Sequence, residues 1–127
     1  MAKNNTILVL EDERPLLEAI KKKLELNNFT VVTARSVEQA EEYIKDIENV
    51  QAIWLDHYLL GKESGLDLVV RLKEDEVSKN IPIFVVSNTA SPDKIQSYVQ
   101  LGVNKYYTKS NFRLDQIIKD IQEQLKK

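Results

Sequence analysis

Short apolar segments alternate along the chain with longer segments in which apolar residues recur at helical spacing. The short segments indicate buried strands, because they are nearly uninterrupted and bounded by polar residues. Five strands are predicted, and the apolar signal of the fifth is weak. The predicted strands are Thr6–Leu10, Thr30–Ala34, Ala52–Leu55, Pro82–Val86 and Lys105–Thr108.

A helix is predicted after each strand. Pro15 and Pro92 suit the first turns of the first and fourth helices, and Asn27-Asn28 and Gly102 are suited to end them. The sequence Ser36-Val37-Glu38-Gln39 has the form of a capping box that begins the second helix. The five helices are Arg14–Leu26, a segment with Ala40, Tyr43, Ile44 and Ile47 on one face, Gly65–Glu76, Ser91 to about Leu101, and an amphipathic segment with Leu114, Ile117, Ile118, Ile121 and Leu125.

Five β/α units with continuous apolar strands predict a parallel sheet that is covered by helices on both faces. Right-handed crossovers then give a doubly wound (βα)5 three-layer sandwich of the α/β class. The 127 residues, 43% of them hydrophobic and 30% charged, fit one domain over residues 1–127. We find no repeat, low-complexity tract or interdomain linker in the sequence.

Charge and composition argue against several classes of protein. A net charge of −2 gives no overall sign of the basic face that a nucleic-acid binder normally carries, so we expect no direct nucleic-acid binding. The chain has no cysteine, which excludes disulfides, thiolate metal sites and cysteine nucleophiles. The N-terminus lacks an apolar signal segment and no apolar stretch has the length of a membrane span, so we expect a cytoplasmic protein without membrane contact.

Polar residues follow four of the five predicted strands at the edge where open parallel sheets bind ligands. The second strand ends in Ala34-Arg35, which offers no comparable group. The other strands are followed by Glu11-Asp12-Glu13, by Asp56, by Ser87-Asn88-Thr89 and by Lys109.

If the strand order is 2-1-3-4-5, the order reverses between the first and third strands. Glu11, Asp12 and Asp56 then converge on one crevice, with Ser87 and Lys109 beside it. Clustered carboxylates repel one another unless a cation is present, and an all-oxygen site of this kind suits Mg²⁺. A nucleophilic carboxylate, a lysine and a hydroxyl are the groups that phosphoryl transfer to a carboxylate requires.

The segments ILVLEDE, IWLD, IFVVSN and YYTKS, in this order and spacing, resemble the receiver domains of two-component response regulators. The resemblance covers essentially the whole chain and implies a flavodoxin-like sheet of order 2-1-3-4-5. It implies phosphorylation on Asp56 and an Mg²⁺ cofactor. Its implied ligands are Asp12 directly, Glu11 largely through water, Asp56, and the backbone carbonyl of Tyr58. Ser87 and Tyr106 match the family's switch residues, and Lys109 matches its site lysine.

The resemblance also implies partners for the chain. A sensor histidine kinase or a phosphotransfer protein would supply the phosphoryl group, and an unidentified downstream protein would read it. The chain would be a monomer, or a dimer promoted by phosphorylation through the fourth helix, fifth strand and fifth helix. It would not be an enzyme beyond its own phosphorylation and dephosphorylation.

Some positions depart from the family pattern. Proline usually follows the site lysine, often after a cis bond, whereas Ser110 follows Lys109 here. A cis bond without proline costs ~2.5–4 kcal/mol, so either the bond is trans in a rearranged loop or local contacts offset the cost. Asn88 is larger than the residue usual after the switch hydroxyl. The loop after Asp56 has Leu60 in place of a common proline and is one residue longer before Gly65.

Two neighbours of the site have simpler interpretations. His57 is the lone histidine, and we expect it to face away from Asp56 because adjacent strand residues point to opposite faces. Trp54 is expected in the core.

Three alternative functions compete with the phosphoacceptor function, and the sequence argues against the second and third of them. A phosphorylation-independent interaction module of the same fold is one, with Ser110 and Asn88 as the residues that favour it. A flavin carrier would need a Ser/Thr/Gly-rich phosphate loop where this chain has EDERP. An aspartate-nucleophile phosphohydrolase often has a second aspartate where this chain has Tyr58.

Overall fold

The computed structural model describes residues 5–46, 50–88 and 91–126. Five strands and five helices alternate along these residues. They are β1 Thr6–Leu10, α1 Arg14–Leu26, β2 Thr30–Ala34, α2 Val37–Asp46, β3 Val50–Leu55, α3 Gly65–Glu74, β4 Ile83–Ser87, α4 Pro92–Gln100, β5 Lys105–Thr108 and α5 Leu114–Leu125. A 3₁₀ turn, Lys109–Asn111, follows β5.

The strands form one parallel sheet in the order β2-β1-β3-β4-β5. This is the predicted flavodoxin-like order, and it reverses between β1 and β3. The carboxyl ends of these two strands are level, because Leu10 pairs with Leu55. The residues that follow, Glu11 and Asp56, therefore leave the sheet side by side.

Helices cover both faces of the sheet, which gives the predicted three layers. On one face, Val9, Trp54 and Phe84 pack in one buried cluster with residues of α1 and α5. On the other face, Leu8, Ile53 and other strand residues pack with α2, α3 and α4. The alternation of the two sets along each strand follows from the two-residue period of strand side chains. Burial on both faces explains why the central strands have no polar alternation.

Local sequence determines where the helices end. Asn28 has φ 71° and Gly102 has φ 89°, so each takes the left-handed conformation that closes the preceding helix. The Ser36 hydroxyl accepts a hydrogen bond from Gln39 N at 3.1 Å, as a capping box requires. The reciprocal bond differs from the prediction, since the Gln39 side chain accepts from Arg35 N rather than from Ser36 N.

The main predicted boundaries that shift do so by two residues or fewer. Strand β3 begins at Val50 rather than Ala52, and β4 is Ile83–Ser87 rather than Pro82–Val86. Helix α3 ends at Glu74 rather than Glu76, because Asp75 is extended and the Ser78 hydroxyl donates to Leu72 O at 2.9 Å. Ile47 and Thr89 lie outside the described residues. Within the described ranges, no helix combines the length and apolar character that a bilayer crossing needs.

Candidate functional site

The predicted crevice contains three carboxylates and one ammonium group. Glu11, Asp12 and Asp56 each place one carboxylate oxygen within 4.8 Å of the others. Lys109 Nζ lies 2.8 Å from Glu11 Oε1 and 3.3 Å from Asp56 Oδ2. Glu11 and Asp56 are buried, with 0% and 3% of their surface exposed. The structure therefore brings together four of the residues that the sequence assigned to one site.

Backbone pairing fixes where the two buried carboxylates start. Glu11 N donates to Ala34 O at 3.1 Å, and Asp56 N donates to Leu10 O at 3.0 Å. Both residues thus continue the sheet hydrogen bonding for one step beyond the strands. The side chains leave a rigid edge, so little conformational entropy is lost when they bind a ligand together.

Burial and repulsion act on the Glu11 carboxylate. Burial raises the pKa of Glu11 to about 7, the ammonium group of Lys109 opposes the increase, and the negative charge of Asp56 adds to it. Burial also disfavours the charged form of Lys109, but the Glu11 and Asp56 carboxylates outweigh it and raise the pKa of this lysine. The single positive charge of Lys109 is smaller than the combined negative charge of the three carboxylates, so part of that negative charge is uncompensated.

The free lone pairs of the site fit a divalent cation. Glu11 Oε1 is buried and forms an ion pair with Lys109 Nζ at 2.8 Å, but the same ammonium group also lies 3.3 Å from Asp56 Oδ2. Lys109 therefore compensates only part of the buried negative charge, and uncompensated buried charge is costly. Glu11, Asp12 and Asp56 are therefore the residues that could hold a metal ion, and their oxygen ligands suit a hard one.

Lys109 reaches the site although serine follows it. The Lys109–Ser110 peptide bond is trans, and Lys109 begins the 3₁₀ turn after β5. The side chain is only 15% exposed because it extends toward the two buried carboxylates. Of the two outcomes that the sequence left open, the structure therefore shows the trans bond, and the lysine still contacts Asp56.

The predicted switch residues lie on neighbouring strands. Ser87 is the last residue of β4 and is fully buried. Tyr106 lies in β5, beside β4, and its half-buried side chain shares a hydrogen bond with Ser87. Burial raises the pKa of the Tyr106 hydroxyl, and the bond from Ser87 opposes this. The hydroxyl of Ser87 thus links the carboxyl edge of the sheet to Tyr106.

Tyr58 lies at the mouth of the site. Its backbone N–H donates to Asp56 Oδ1 at 3.4 Å, and its ring is half exposed beneath Lys94, whose Nζ is 5.3 Å from the ring centroid. The role of the Tyr58 carbonyl as a metal ligand remains a prediction. Asn88, which is larger than the residue usual at this position of the family, is exposed to solvent.

Sequence reasoning missed the contribution of Arg35. The end of β2 was expected to offer nothing to the site, but Arg35 Nη2 and Nε donate to Asp12 O at 2.8 and 3.3 Å. These bonds fasten the backbone of Asp12. The pairing of β1 with β2 is the signal that indicates this contact, because it places Arg35, which follows β2, beside the residues that follow β1.

His57 faces away from the carboxylates, as predicted, and contacts helix α4. Its Nδ1 lies 2.7 Å from the hydroxyl of Tyr98. Burial lowers the pKa of His57, and the nearby charge of Lys94 lowers it further, so the imidazole is neutral near neutral pH. No sequence motif indicates this pair, whose members lie far apart along the chain.

The raised pKa of Glu11 predicts how the stability of the metal-free protein depends on pH. The folded state holds the Glu11 proton up to about pH 7, whereas the unfolded state releases it near the ordinary value of 4.5. This group's contribution to stability is therefore full below the unfolded pKa and is lost as pH rises through the folded pKa. Glu11→Gln should stabilise the metal-free protein by on the order of 2 kcal/mol at about pH 8 and by much less at about pH 5.

Urea unfolding in the presence of a chelator measures both differences. Glu13→Gln is the matched control, because Glu13 is exposed and next to the site in sequence, and it should change stability little at either pH. A stabilisation by Glu11→Gln that is the same at both pH values would contradict the electrostatic account of this carboxylate.

Known proteins share both the sequence pattern and the fold. Residues 7–122 match the response regulator receiver domain family. The phosphate regulon transcriptional regulatory protein PhoB of Pseudomonas aeruginosa is 35% identical over 104 residues, which cover 82% of this chain and 44% of PhoB. The chain thus spans less than half the length of this relative.

Two solved structures superpose on nearly the whole chain. The receiver domain of Francisella response regulator 1452 has a TM-score of 0.84 and 25% identity, covering 97% of this chain and 98% of that one. A phosphorylated cyanobacterial phytochrome response regulator, RcpA, has a TM-score of 0.79 and 27% identity, covering 95% and 91%. Since the family match extends over almost all of the sequence and the sheet order and acidic crevice agree with it, this chain belongs to the response regulator receiver domain family.

Proposed function

We propose that the chain is a phosphoacceptor response regulator that accepts a phosphoryl group on Asp56 with Mg²⁺ as cofactor. One observation supports this most strongly: a nearly buried Asp56 carboxylate lies 3.3 Å from Lys109 Nζ and beside the carboxylates of Glu11 and Asp12. This set combines a nucleophile, a fixed positive charge and a cation site, which are the needs of phosphoryl transfer to a carboxylate.

In the proposed reaction, an Asp56 carboxylate oxygen attacks the phosphorus atom of a phosphohistidine or of a small acyl phosphate. A phosphorus–oxygen bond forms to Asp56, the bond to the donor breaks, and the leaving group keeps the electron pair. Lys109 balances charge on the phosphoryl oxygens because its ammonium group already lies at the Asp56 carboxylate. Mg²⁺, when bound by Glu11, Asp12, Asp56 and the Tyr58 carbonyl, supplies charge neutralisation.

The proposed switch uses the link between Ser87 and Tyr106. A phosphoryl group on Asp56 would attract the Ser87 hydroxyl, and a hydrogen bond to a charged group contributes ~1.5–3 kcal/mol. A free energy of this size shifts a two-state equilibrium about ten- to a hundredfold. Because Ser87 already bonds to Tyr106, its movement would change the position of the tyrosine and of the surface built from α4, β5 and α5.

We propose that this surface meets the downstream partner and supports dimer formation on phosphorylation. A sensor histidine kinase or a phosphotransfer protein in the cytoplasm is the proposed donor, since the chain is a receiver domain of two-component response regulators. PhoB, by its name, regulates transcription, but it is more than twice as long as its match to this chain, so the output here is not inferred from it. The proposed role is signalling, without catalysis beyond the chain's own phosphorylation and dephosphorylation.

Incubation with acetyl phosphate tests the proposal directly. The wild type should gain one phosphoryl adduct in Mg²⁺, and none in a chelator, because three carboxylates would otherwise repel the anionic donor. Asp56→Asn should gain none, since an amide is no nucleophile for this transfer. Intact-protein mass spectrometry measures the adduct.

Asp67→Asn is the matched control, because Asp67 is another aspartate of the chain whose carboxylate serves the start of α3 instead. It should be phosphorylated like the wild type. A wild type that binds Mg²⁺ but gains no adduct would refute the phosphoacceptor function and favour the phosphorylation-independent interaction module.

Removing the Ser87 hydroxyl tests the switch. Ser87→Ala should still gain the adduct but should lose the phosphorylation-dependent change in the NMR signals of the Tyr106 ring, because no hydroxyl remains to bridge the phosphoryl group and the tyrosine. Ser97→Ala is the control, since its hydroxyl donates within α4, to Asp93 O at 3.0 Å. An unchanged Tyr106 response in Ser87→Ala would rule out this switch.

A further inference from the structure

A buried tyrosine of α4 is bonded to the residue next to the proposed nucleophile. The hydroxyl of Tyr98 lies 2.7 Å from His57 Nδ1, and the two rings meet edge to face at 5.7 Å. Tyr98 is fully buried and His57 is 6% exposed, so water does not compete for this hydrogen bond. A polar contact in such surroundings is costly to leave unmade.

The start of α3 leaves room for the Tyr98 hydroxyl only because residue 65 is glycine. A Cβ atom at Gly65 would lie 2.7 Å from the hydroxyl and 2.9 Å from the carbonyl oxygen of Asp56. Gly65 N also donates to His57 O at 3.0 Å. His57 is therefore held through its backbone by α3 and through its side chain by α4.

The position of His57 in the chain gives these contacts a consequence for the site. His57 stands between Asp56, the proposed nucleophile, and Tyr58, whose carbonyl is the proposed metal ligand. The backbone of Tyr58 also touches Asp56, through the bond from Tyr58 N to Asp56 Oδ1. A displacement of the His57 backbone also moves Asp56 and Tyr58, because a planar peptide bond joins each of them to His57.

We propose that Tyr98 is a positioning residue for the Mg²⁺ site, acting through its hydrogen bond to His57. The inference rests on the proposed function and adds a role for helix α4 to it. By holding His57, Tyr98 keeps the Asp56 carboxylate and the Tyr58 carbonyl in one arrangement. Binding of the ion and the placement of α4 are then linked, and a linkage between two sites acts equally in both directions.

Tyr98→Phe removes the hydroxyl and keeps the ring. The Kd for Mg²⁺, measured by titration calorimetry of the full chain, should rise about tenfold, the smaller end of the losses seen when groups that orient metal ligands are removed. The titration is run well below the unfolding temperature, so a loss of stability alone leaves the Kd unchanged.

Tyr107→Phe is the matched control. Tyr107 is also a buried tyrosine, 3% exposed, and its hydroxyl donates to Asp120 Oδ2 at 2.5 Å in the part of the core that faces α1 and α5. The substitution also removes one tyrosine hydroxyl bond, here a partly buried one to a carboxylate, away from His57. Its Kd for Mg²⁺ should equal that of the wild type. An equal rise in the Kd of both variants would overturn the positioning role, because it would reflect general loosening of the fold.

A double-substitution cycle tests the route of the effect. If Tyr98 acts through His57, then His57→Leu combined with Tyr98→Phe should raise the Kd no further than the larger single effect. Independent, additive effects would overturn the proposed route. Hydrogen exchange gives the reverse direction: Mg²⁺ should slow exchange of the α4 amides in the wild type and not in Tyr98→Phe.

The outcomes separate this inference from the function on which it rests. A wild type that binds Mg²⁺, with the same Kd in Tyr98→Phe, would overturn the role of Tyr98 and leave the proposed function intact. A wild type that binds no Mg²⁺ would refute the proposed metal site, and the inference with it.

Discussion

The repulsion among three carboxylates that face one ammonium group is the constraint on which the site depends. Glu11, Asp12 and Asp56 meet at one edge of the sheet, and Lys109 compensates them only in part. Burial raises the pKa of Glu11 to about 7, and repulsion by Asp56 adds to the increase. Such an arrangement favours binding of a cation, which offsets the negative charge of the carboxylates. The bound cation and Lys109 then favour binding of an anion.

The remainder of the fold holds that arrangement in place. Strands β1 and β3 end level with each other, so their next residues are neighbours by backbone geometry. Arg35 fastens the backbone of Asp12 from β2, and Tyr98 fastens His57 from α4. The outer elements thus contact the segments that hold the carboxylates, and these contacts connect the proposed phosphorylation site to helix α4.

The strands and helices were predictable from the sequence because their signals are local, whereas the sheet order, on which the crevice depends, came from the resemblance to receiver domains. The apolar spacing, with Pro15 in the first turn and Asn27 at the end, places α1 correctly to the residue at Arg14–Leu26. The end of α3 was placed too late, because the side chain of Ser78 folds back onto Leu72 O and competes with further helix.

The contacts that escaped prediction depend on register and on pairs distant in sequence. Arg35 reaches Asp12 only because of how β1 pairs with β2, and Tyr98 meets His57 only because α4 packs beside α3 and β5. Neither has a short motif. The loop of Lys109 does have a short motif, but that motif departs from the family at Ser110. The Lys109 side chain nevertheless reaches the carboxylates with a trans peptide bond before Ser110.

Calorimetric titration of the metal-free chain with Mg²⁺, beside Asp12→Asn, tests the central claim most directly. The account predicts one ion for each chain and weaker binding at lower pH, because protons compete for Glu11. It also predicts a large loss of affinity in Asp12→Asn, since this removes a charged ligand. A wild type that binds no Mg²⁺, or binds it as well without the Asp12 carboxylate, would contradict the claim that this acidic crevice is a cation site for phosphoryl transfer.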